Sequence, residues 1–336
     1  MIDALDIPEV RREALADIVR RARAARHVVL TTHQNADGDG TGSEAAIAAW
    51  LESLGVRVTI VNPTPFPDSF RFLLHRDDVV ADLDDERSRE AIADAGLCLV
   101  LDTSEPKRIS PLDELLDPAI TFVVDHHPPG PKVVGQGGVQ DASAAATGEL
   151  VFDMIVLAGD EWPAASALGT YVAIVSDTGS FRFANTTPRT HLIAADMLAR
   201  GIDPEAVFQQ LFAVAPLRRL ELLREALGRL QFEPETGLAW IAIPYEVSRR
   251  LGSTSADFDG LIDHARSIEG TRVAILFRET EPALTKLSLR SSGATDVNQI
   301  ARQFGGGGHV KASGATIPLP LEEAVEKVLK IVRREL

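Results

Sequence analysis

The sequence predicts an α/β protein: a parallel-sheet N-terminal domain with flanking helices, a smaller α/β C-terminal domain, and a crevice between them. Three observations carry this. Short apolar runs, Val28-Val29-Leu30, Leu97-Cys98-Leu99-Val100-Leu101 and Thr121-Phe122-Val123-Val124, alternate with helical patterns in the way of buried parallel strands. Carboxylates or imidazoles follow each run, at His33 to Asp39, at Asp102 and at Asp125 to His127. Open α/β sheets gather their ligands at the carboxyl ends of strands, so these groups are expected to converge. The third observation is a change of pattern, to helical spacing through residues 190–230 and back to strands after Gly237. A length of 336 residues suits two domains. The expected division is a first domain over 1–190, a helical linker over 191–237 and a second domain over 238–336.

The elements follow in order. Apolar residues at helical spacing within an Arg- and Ala-rich stretch predict an opening helix over 8–26. After the first strand and the His33 loop, a helix is expected from Gly42 to Leu54, with Ser43 and Glu44 suiting its N-terminus. Gly38 and Gly40 are expected to let the loop bend. Arg57 to Val61 reads as a strand and Pro63 to Pro67 as a loop. A helix over 84–95 precedes the strand that ends at Asp102. Residues 148–157 and 164–175 read as helices, with Asp177 just beyond the second. Gln231 to Gly237 is expected to be a hinge. Leu238 to Ile243, Thr271 to Phe277 and Lys286 to Arg290 read as strands, with a helix over 258–268 and a last one over 321–334.

Composition narrows the function. Net charge is −15, which argues against broad duplex binding, a task for a basic face. The single cysteine, Cys98, lies inside an apolar run and is expected to pack in the core. With one thiol there is no disulfide framework, and the expected location is the cytoplasm. No apolar run reaches the ~18 residues of a membrane-spanning helix, and Met1-Ile2-Asp3-Ala4 lacks a signal-peptide pattern. The clustered acids would repel one another without a counter-charge, and a divalent metal is the natural one.

The joint pattern, His33-Gln34-Asn35-Ala36-Asp37-Gly38-Asp39, then Asp102, Asp125-His126-His127 and Asp177, resembles the DHH phosphoesterase superfamily. Gly306-Gly307-Gly308-His309-Val310-Lys311-Ala312-Ser313-Gly314 resembles the glycine-rich signature of the DHH-associated C-terminal domain. Ala36 stands where the family commonly has Pro, and Ser313 where Ala is usual. The resemblance implies two divalent cations, usually manganese. His33, Asp37 and Asp102 would hold the first, and Asp39, Asp102, His126 and Asp177 the second, with Asp102 bridging. It implies catalytic roles for Asp102 and His127, the latter toward the phosphate or as a proton donor. Asp125 is expected to orient His126.

The same resemblance implies substrate contacts in the C-terminal domain from Arg290, Ser292, Asn298, Gly306, Gly307, Gly308 and His309, and from Arg182 in the first. Glycines let backbone N–H groups approach a phosphate, and a guanidinium grips two oxygens at once. Length and layout resemble bacterial enzymes that degrade short oligoribonucleotides, such as pApA, to mononucleotides and convert adenosine 3′,5′-bisphosphate to AMP. Cyclic-dinucleotide cleavage is a near alternative. A manganese inorganic pyrophosphatase would share the first-half acids but lack the glycine-rich signature. A silent binding module would have lost a ligand position. Short RNA and nucleotide bisphosphates are the expected partners, with no membrane or long-duplex binding; a homodimer stays open.

Overall fold

The computed structural model describes residues 5–213 and 215–336, apart from the side chain of His309. The chain forms two compact units, 1–213 and 214–336. The division falls inside the stretch that the sequence assigns to a linker. Gln231 to Gly237, expected as a hinge, is a hairpin within the second unit. There Gln231–Glu233 pairs antiparallel with Leu238–Ile243.

The first unit is built on five parallel strands: β1 (His27–Thr31), β2 (Arg57–Ile60), β3 (Leu97–Leu101), β4 (Thr121–Asp125) and β5 (Gly138–Gln140). Their order is β2-β1-β3-β4-β5. Alternate residues of β1 enter different cores: Val28 and Leu30 face one, Val29 the other. Helices α1 (Glu9–Ala24) and α2 (Gly38–Ser53) cover the first face. Helices α3 (Glu86–Ala93), α4 (Pro106–Ile109) and α5 (Leu112–Leu115) cover the second. Burial on both faces is why the strands read as unbroken apolar runs. Cys98 lies in the second core, and burial pushes its thiol up to about 11.

Helices α6 (Thr147–Ala158), α7 (Ala164–Asp177), α8 (Pro188–Ala199) and α9 (Pro204–Phe208) complete the unit. The packing of α2 on α7 is unusually close. A Cβ on Gly42 would meet the Gly169 carbonyl oxygen at 2.5 Å, and one on Gly169 would meet that of Gly42 at 2.4 Å. Bare backbone faces bare backbone here, and any side chain would force the helices apart. Helix α2 begins at Gly38, four residues earlier than expected, so Ser43 and Glu44 are buried in its interior. Gly38 and Gly40 therefore lie within its first turn and do not bend a loop. A Cβ on Gly38 would strike Ser176 of α7.

The second unit opens with α10 (Leu217–Gly228) and holds a six-stranded mixed sheet. Its strands are β6 (Gln231–Glu233), β7 (Leu238–Ile243), β8 (Val273–Glu281), β9 (Leu284–Ser291), β10 (Gly307–His309) and β11 (Ala312–Ile317), in the order β10-β11-β9-β8-β7-β6. Only β7 and β8 run parallel. Helices α11 (Tyr245–Leu251), α12 (Leu261–Arg266), α13 (Val297–Arg302) and α14 (Leu321–Glu335) pack around it. The glycine run is no flexible loop, since Gly307 to His309 forms a strand paired with Ala312 to Gly314. Among the described residues, no helix is long and apolar enough to cross a membrane.

Candidate metal centre

In the first sheet, the chain passes from β1 outward to β2, then crosses back to β3 on the far side of β1. Strand order reverses between β1 and β3, and a crevice opens there at the carboxyl ends. His33 follows β1, Asp102 follows β3 and His126 follows β4. The Thr32 hydroxyl donates to the Leu101 carbonyl at 2.9 Å and ties the two central strand ends together. Asp102 sits in the left-handed region at φ 61°, an uncommon conformation that Asp tolerates better than most residues.

Helices deliver the remaining carboxylates. Asp37 is the N-cap of α2, and its Oδ1 accepts from the amides of Asp39 (3.0 Å) and Gly40 (3.2 Å). Its Oδ2 is left 3.7 Å from His33 Nε2. Asp39 rides in the first turn of α2 and Asp177 is the last residue of α7. The glycine contact between those two helices brings their acids near one another.

Three overlapping donor triads result among the described residues, His33–Asp37–Asp102, Asp39–His126–Asp177 and Asp102–His126–His127, each with its candidate ligand atoms within 4.8 Å. Asp102 joins the first two: its Oδ2 lies 3.3 Å from His33 Nε2, and its Oδ1 lies 3.5 Å from His126 Nε2. His126 Nε2 also faces Asp39 Oδ2 at 3.6 Å and Asp177 Oδ2 at 3.4 Å. Both Nε2 atoms are buried and lack a hydrogen-bond partner. His33 Nδ1 is engaged with the Gln34 carbonyl at 2.9 Å, which requires it to donate, so Nε2 is the nitrogen that must give up its proton to meet a cation. Buried imidazole nitrogens aimed at carboxylate oxygens are the donor set of a divalent cation, and the arrangement fits one.

The electrostatics agree. Burial opposes charge on His33, yet Asp102 and Asp37 outweigh it and hold the ring at about 10. His126 is likewise carried to about 9, chiefly by Asp102 and Asp177 against burial. Burial, then the charges of Asp102, Asp177 and Asp37, push Asp39 well above the carboxylate range. Burial and the same crowding lift Asp177 to about 6. Burial would raise Asp102 too, but His126 and His33 hold it below its ordinary value. Without a cation, the imidazoles serve as the counter-charge.

His127 stands beside this centre, its Nδ1 3.7 Å from Asp102 Oδ1 and its ring 4.4 Å from that of His126. Asp125 orients His127 and not His126, contrary to expectation. Its Oδ1 accepts from the His127 amide at 3.0 Å and from Nδ1 at 2.8 Å. Burial of Asp125 excludes water from that bond. Arg182 is exposed five residues beyond Asp177, its Nε bonded to the Gly179 carbonyl at 2.7 Å. Phe181 stacks on His191, whereas Phe183 is exposed over Gly179.

In the second unit, Arg290, Gly306 and Gly307 line one groove of about 570 Å³. Lys286, Ser288 and Ser313 line it with them, and the sequence reading gave none of these a site role. Strand alternation was the available signal, since Lys286, Ser288 and Arg290 share one face of β9. Ser292 is exposed beyond the groove. Asn298 lies in the first turn of α13 with its Oδ1 buried and unpartnered. A Cβ on Gly306 would meet the Gly314 carbonyl oxygen at 2.0 Å, so packing demands glycine there, while Gly307 faces open space. Gly308 and His309 complete β10; the side chain of His309 lies outside the described residues.

Residues 27–174 match the DHH family, N-terminal domain, and residues 243–336 match the DHHA1 domain. The bifunctional oligoribonuclease and PAP phosphatase NrnA of Thermus thermophilus is 34% identical over 92% of this chain and 90% of its own. The chain belongs to the DHH family. Membership makes it a hydrolase acting on phosphoester bonds. The Bacillus subtilis protein of the same name is 28% identical over 90% of this chain and 92% of its own. An exopolyphosphatase-related protein from Bacteroides fragilis superposes with a TM-score of 0.89 at 25% identity, covering 98% of each chain. The exonuclease RecJ bound to manganese shares the fold, with a TM-score of 0.52 at 18% identity over 97% of this chain and 94% of that one.

Proposed function

We propose that this DHH hydrolase releases mononucleotides from short oligoribonucleotides, dinucleotides such as pApA included, and converts adenosine 3′,5′-bisphosphate to AMP. Two divalent cations, Mn²⁺ by preference, would serve it. The observation that carries the reading is Asp102, whose two oxygens each face a different donor triad. The relatives named for oligoribonuclease and PAP phosphatase activity support the choice of substrate. Cytoplasmic location belongs to the same reading, with Cys98 a buried free thiol.

His33, Asp37 and Asp102 would hold one cation, and Asp39, Asp102, His126 and Asp177 the other. When bound, the pair supplies a water of lowered pKa and neutralises charge on the phosphoryl oxygens. The protein's own groups do the rest. Asp125 fixes His127 with Nδ1 donating, so Nε2 is the nitrogen left to carry a proton to the departing oxygen. Arg182, five residues beyond Asp177 and exposed, would grip a phosphate. In the second unit, Arg290 and the glycine strand at Gly307 would bind a phosphate, with Ser292, Asn298, Gly306, Gly308 and His309 as its further contacts. Few such contacts and a net charge of −15 favour short substrates.

The test uses metal-stripped protein resupplied with Mn²⁺ and offered pApA, a 5-mer RNA, adenosine 3′,5′-bisphosphate and pyrophosphate. Mononucleotide and AMP release are expected. Asp102→Ala should lower both by more than about 100-fold, beyond what partners outside the ligand shell are worth. Hydrolysis of pyrophosphate alone would overturn the reading.

A further inference from the structure

We propose that the buried ion network of Arg11, Glu149, Asp153 and Arg189 positions the first turn of α6 so that its amides hold Asp39 as a metal ligand. The inference rests on the reading of Asp39 given above.

Helix α6 begins without a capping side chain, because its N-cap is Ala146. The missing acceptor comes from far along the chain. Asp39 Oδ2 accepts the Thr147 amide at 2.7 Å, and Asp39 Oδ1 accepts the Gly148 amide at 2.9 Å. The two amides are otherwise orphan donors at the positive end of a 12-residue helix, and an anion is stabilised there. One carboxylate therefore caps α6 and faces His126 Nε2. Its orientation depends on where α6 begins.

Glu149 sets that start. It is the third residue of α6, and its Oε2 reaches back to accept the Ala145 amide at 3.1 Å, one residue before the N-cap, which ties the entering chain to the first turn. Its Oε1 takes Arg11 Nη2 at 2.7 Å and Arg189 Nε at 3.1 Å. Asp153, one turn later, binds the same two guanidinium groups, with Arg11 Nη2 at 2.7 Å. Arg11 comes from α1 and also pairs with Asp141 at 3.1 Å. Its side chain is 1% exposed, as are few arginines anywhere. Apolar packing would hold α6 against α1 without fixing its rotation. Planar guanidinium forks are directional, and two of them on successive turns fix both the rotation and the advance of the helix. The turn that they lock is the turn that grips Asp39.

The test is calorimetric titration of Mn²⁺ into the metal-stripped full chain. Glu149→Gln is nearly isosteric and is the variant of choice; Arg11→Met, more disruptive, is the second. The expected result is a rise of about 10–100-fold in the dissociation constant of one of the two ions, with the other unchanged. Amide exchange at Thr147 and Gly148 should quicken in the same variants. Asp257→Asn is the control, because it breaks the pair with Arg218 in the second unit, where Asp257 is equally buried. It should move neither constant. Equal weakening of both ions by Glu149→Gln, no weakening, or the same change in Asp257→Asn would overturn the inference. Failure of the unaltered protein to bind two Mn²⁺ ions would instead overturn the metal-centre reading on which it stands.

Discussion

Two clusters of acids share the first unit, and they are compensated in opposite ways. Asp141, Glu149 and Asp153 are matched by Arg11 and Arg189, permanent cations whose forks lie within ion-pair distance of them. Asp37, Asp39, Asp102 and Asp177 meet His33 and His126, whose nitrogens can give up a proton and bind a cation. Helix α6 touches both, through Glu149 on one side and Thr147 on the other. The first cluster holds permanent counter-charges, although burial still lifts Asp153 to about 6. The second depends on imidazoles that can release theirs, with both Nε2 atoms buried and unpartnered and Asp39 pushed well above its ordinary range. A protein that fixes its counter-charge in one place and keeps a replaceable one in another has separated where it is stable from where it acts.

The sharpest break between the clusters should appear in stability. Arg11→Met takes one of two cations from buried Glu149 and Asp153 and the arginine from half-buried Asp141, and urea unfolding should show a loss of about 3–5 kcal/mol with or without Mn²⁺. A loss that vanished on adding metal would mean that the two clusters are one. Next in size is the response to pH. His33 and His126 lie near 10 and 9, so both are charged at pH 7 in the metal-free protein. Their stabilising charge is fully present below the free-imidazole value of about 6.5 and is lost as pH climbs through 9 to 10. Metal must displace those protons. Affinity for Mn²⁺ should therefore rise about tenfold per pH unit for each proton released, levelling off near pH 9–10. Titrations in buffers of different protonation enthalpy read the release directly, and a value of zero would sink the idea. The smallest effect is Asp177→Asn. It removes a crowded charge and should stabilise the chelator-treated protein by about 1 kcal/mol. Destabilisation would show that Asp177 is paid for by contacts other than the cation.

Much of this was legible before the structure. Strands buried on both faces declare themselves as apolar runs, so β1, β3, β4 and β7 stand where the sequence puts them. Candidate ligands that follow such strands come with them, hence His33, Asp102 and His126. Capping was harder. Asp37 begins α2 although two glycines follow, because close approach to Ser176 and Thr32 outweighs their poor helix propensity. The β10–β11 pairing was hidden because glycine reads as a linker, although Gly306 is dictated by the Gly314 carbonyl. Arg11 looked like one more cation in an Arg-rich helix. Its partners Asp141 and Glu149 lie 130 and 138 positions away, beyond any local pattern.

The reciprocal contact of Gly42 and Gly169 gives the centre a hard floor. Two bare main chains at van der Waals range cannot come closer, and a single methyl would wedge them apart. The spacing of Asp39 from Asp177 is therefore gauged by backbone, the least compliant material in the protein. Such a gauge does not drift when surface residues change. An ion of the wrong radius meets a frame that will not adjust to it.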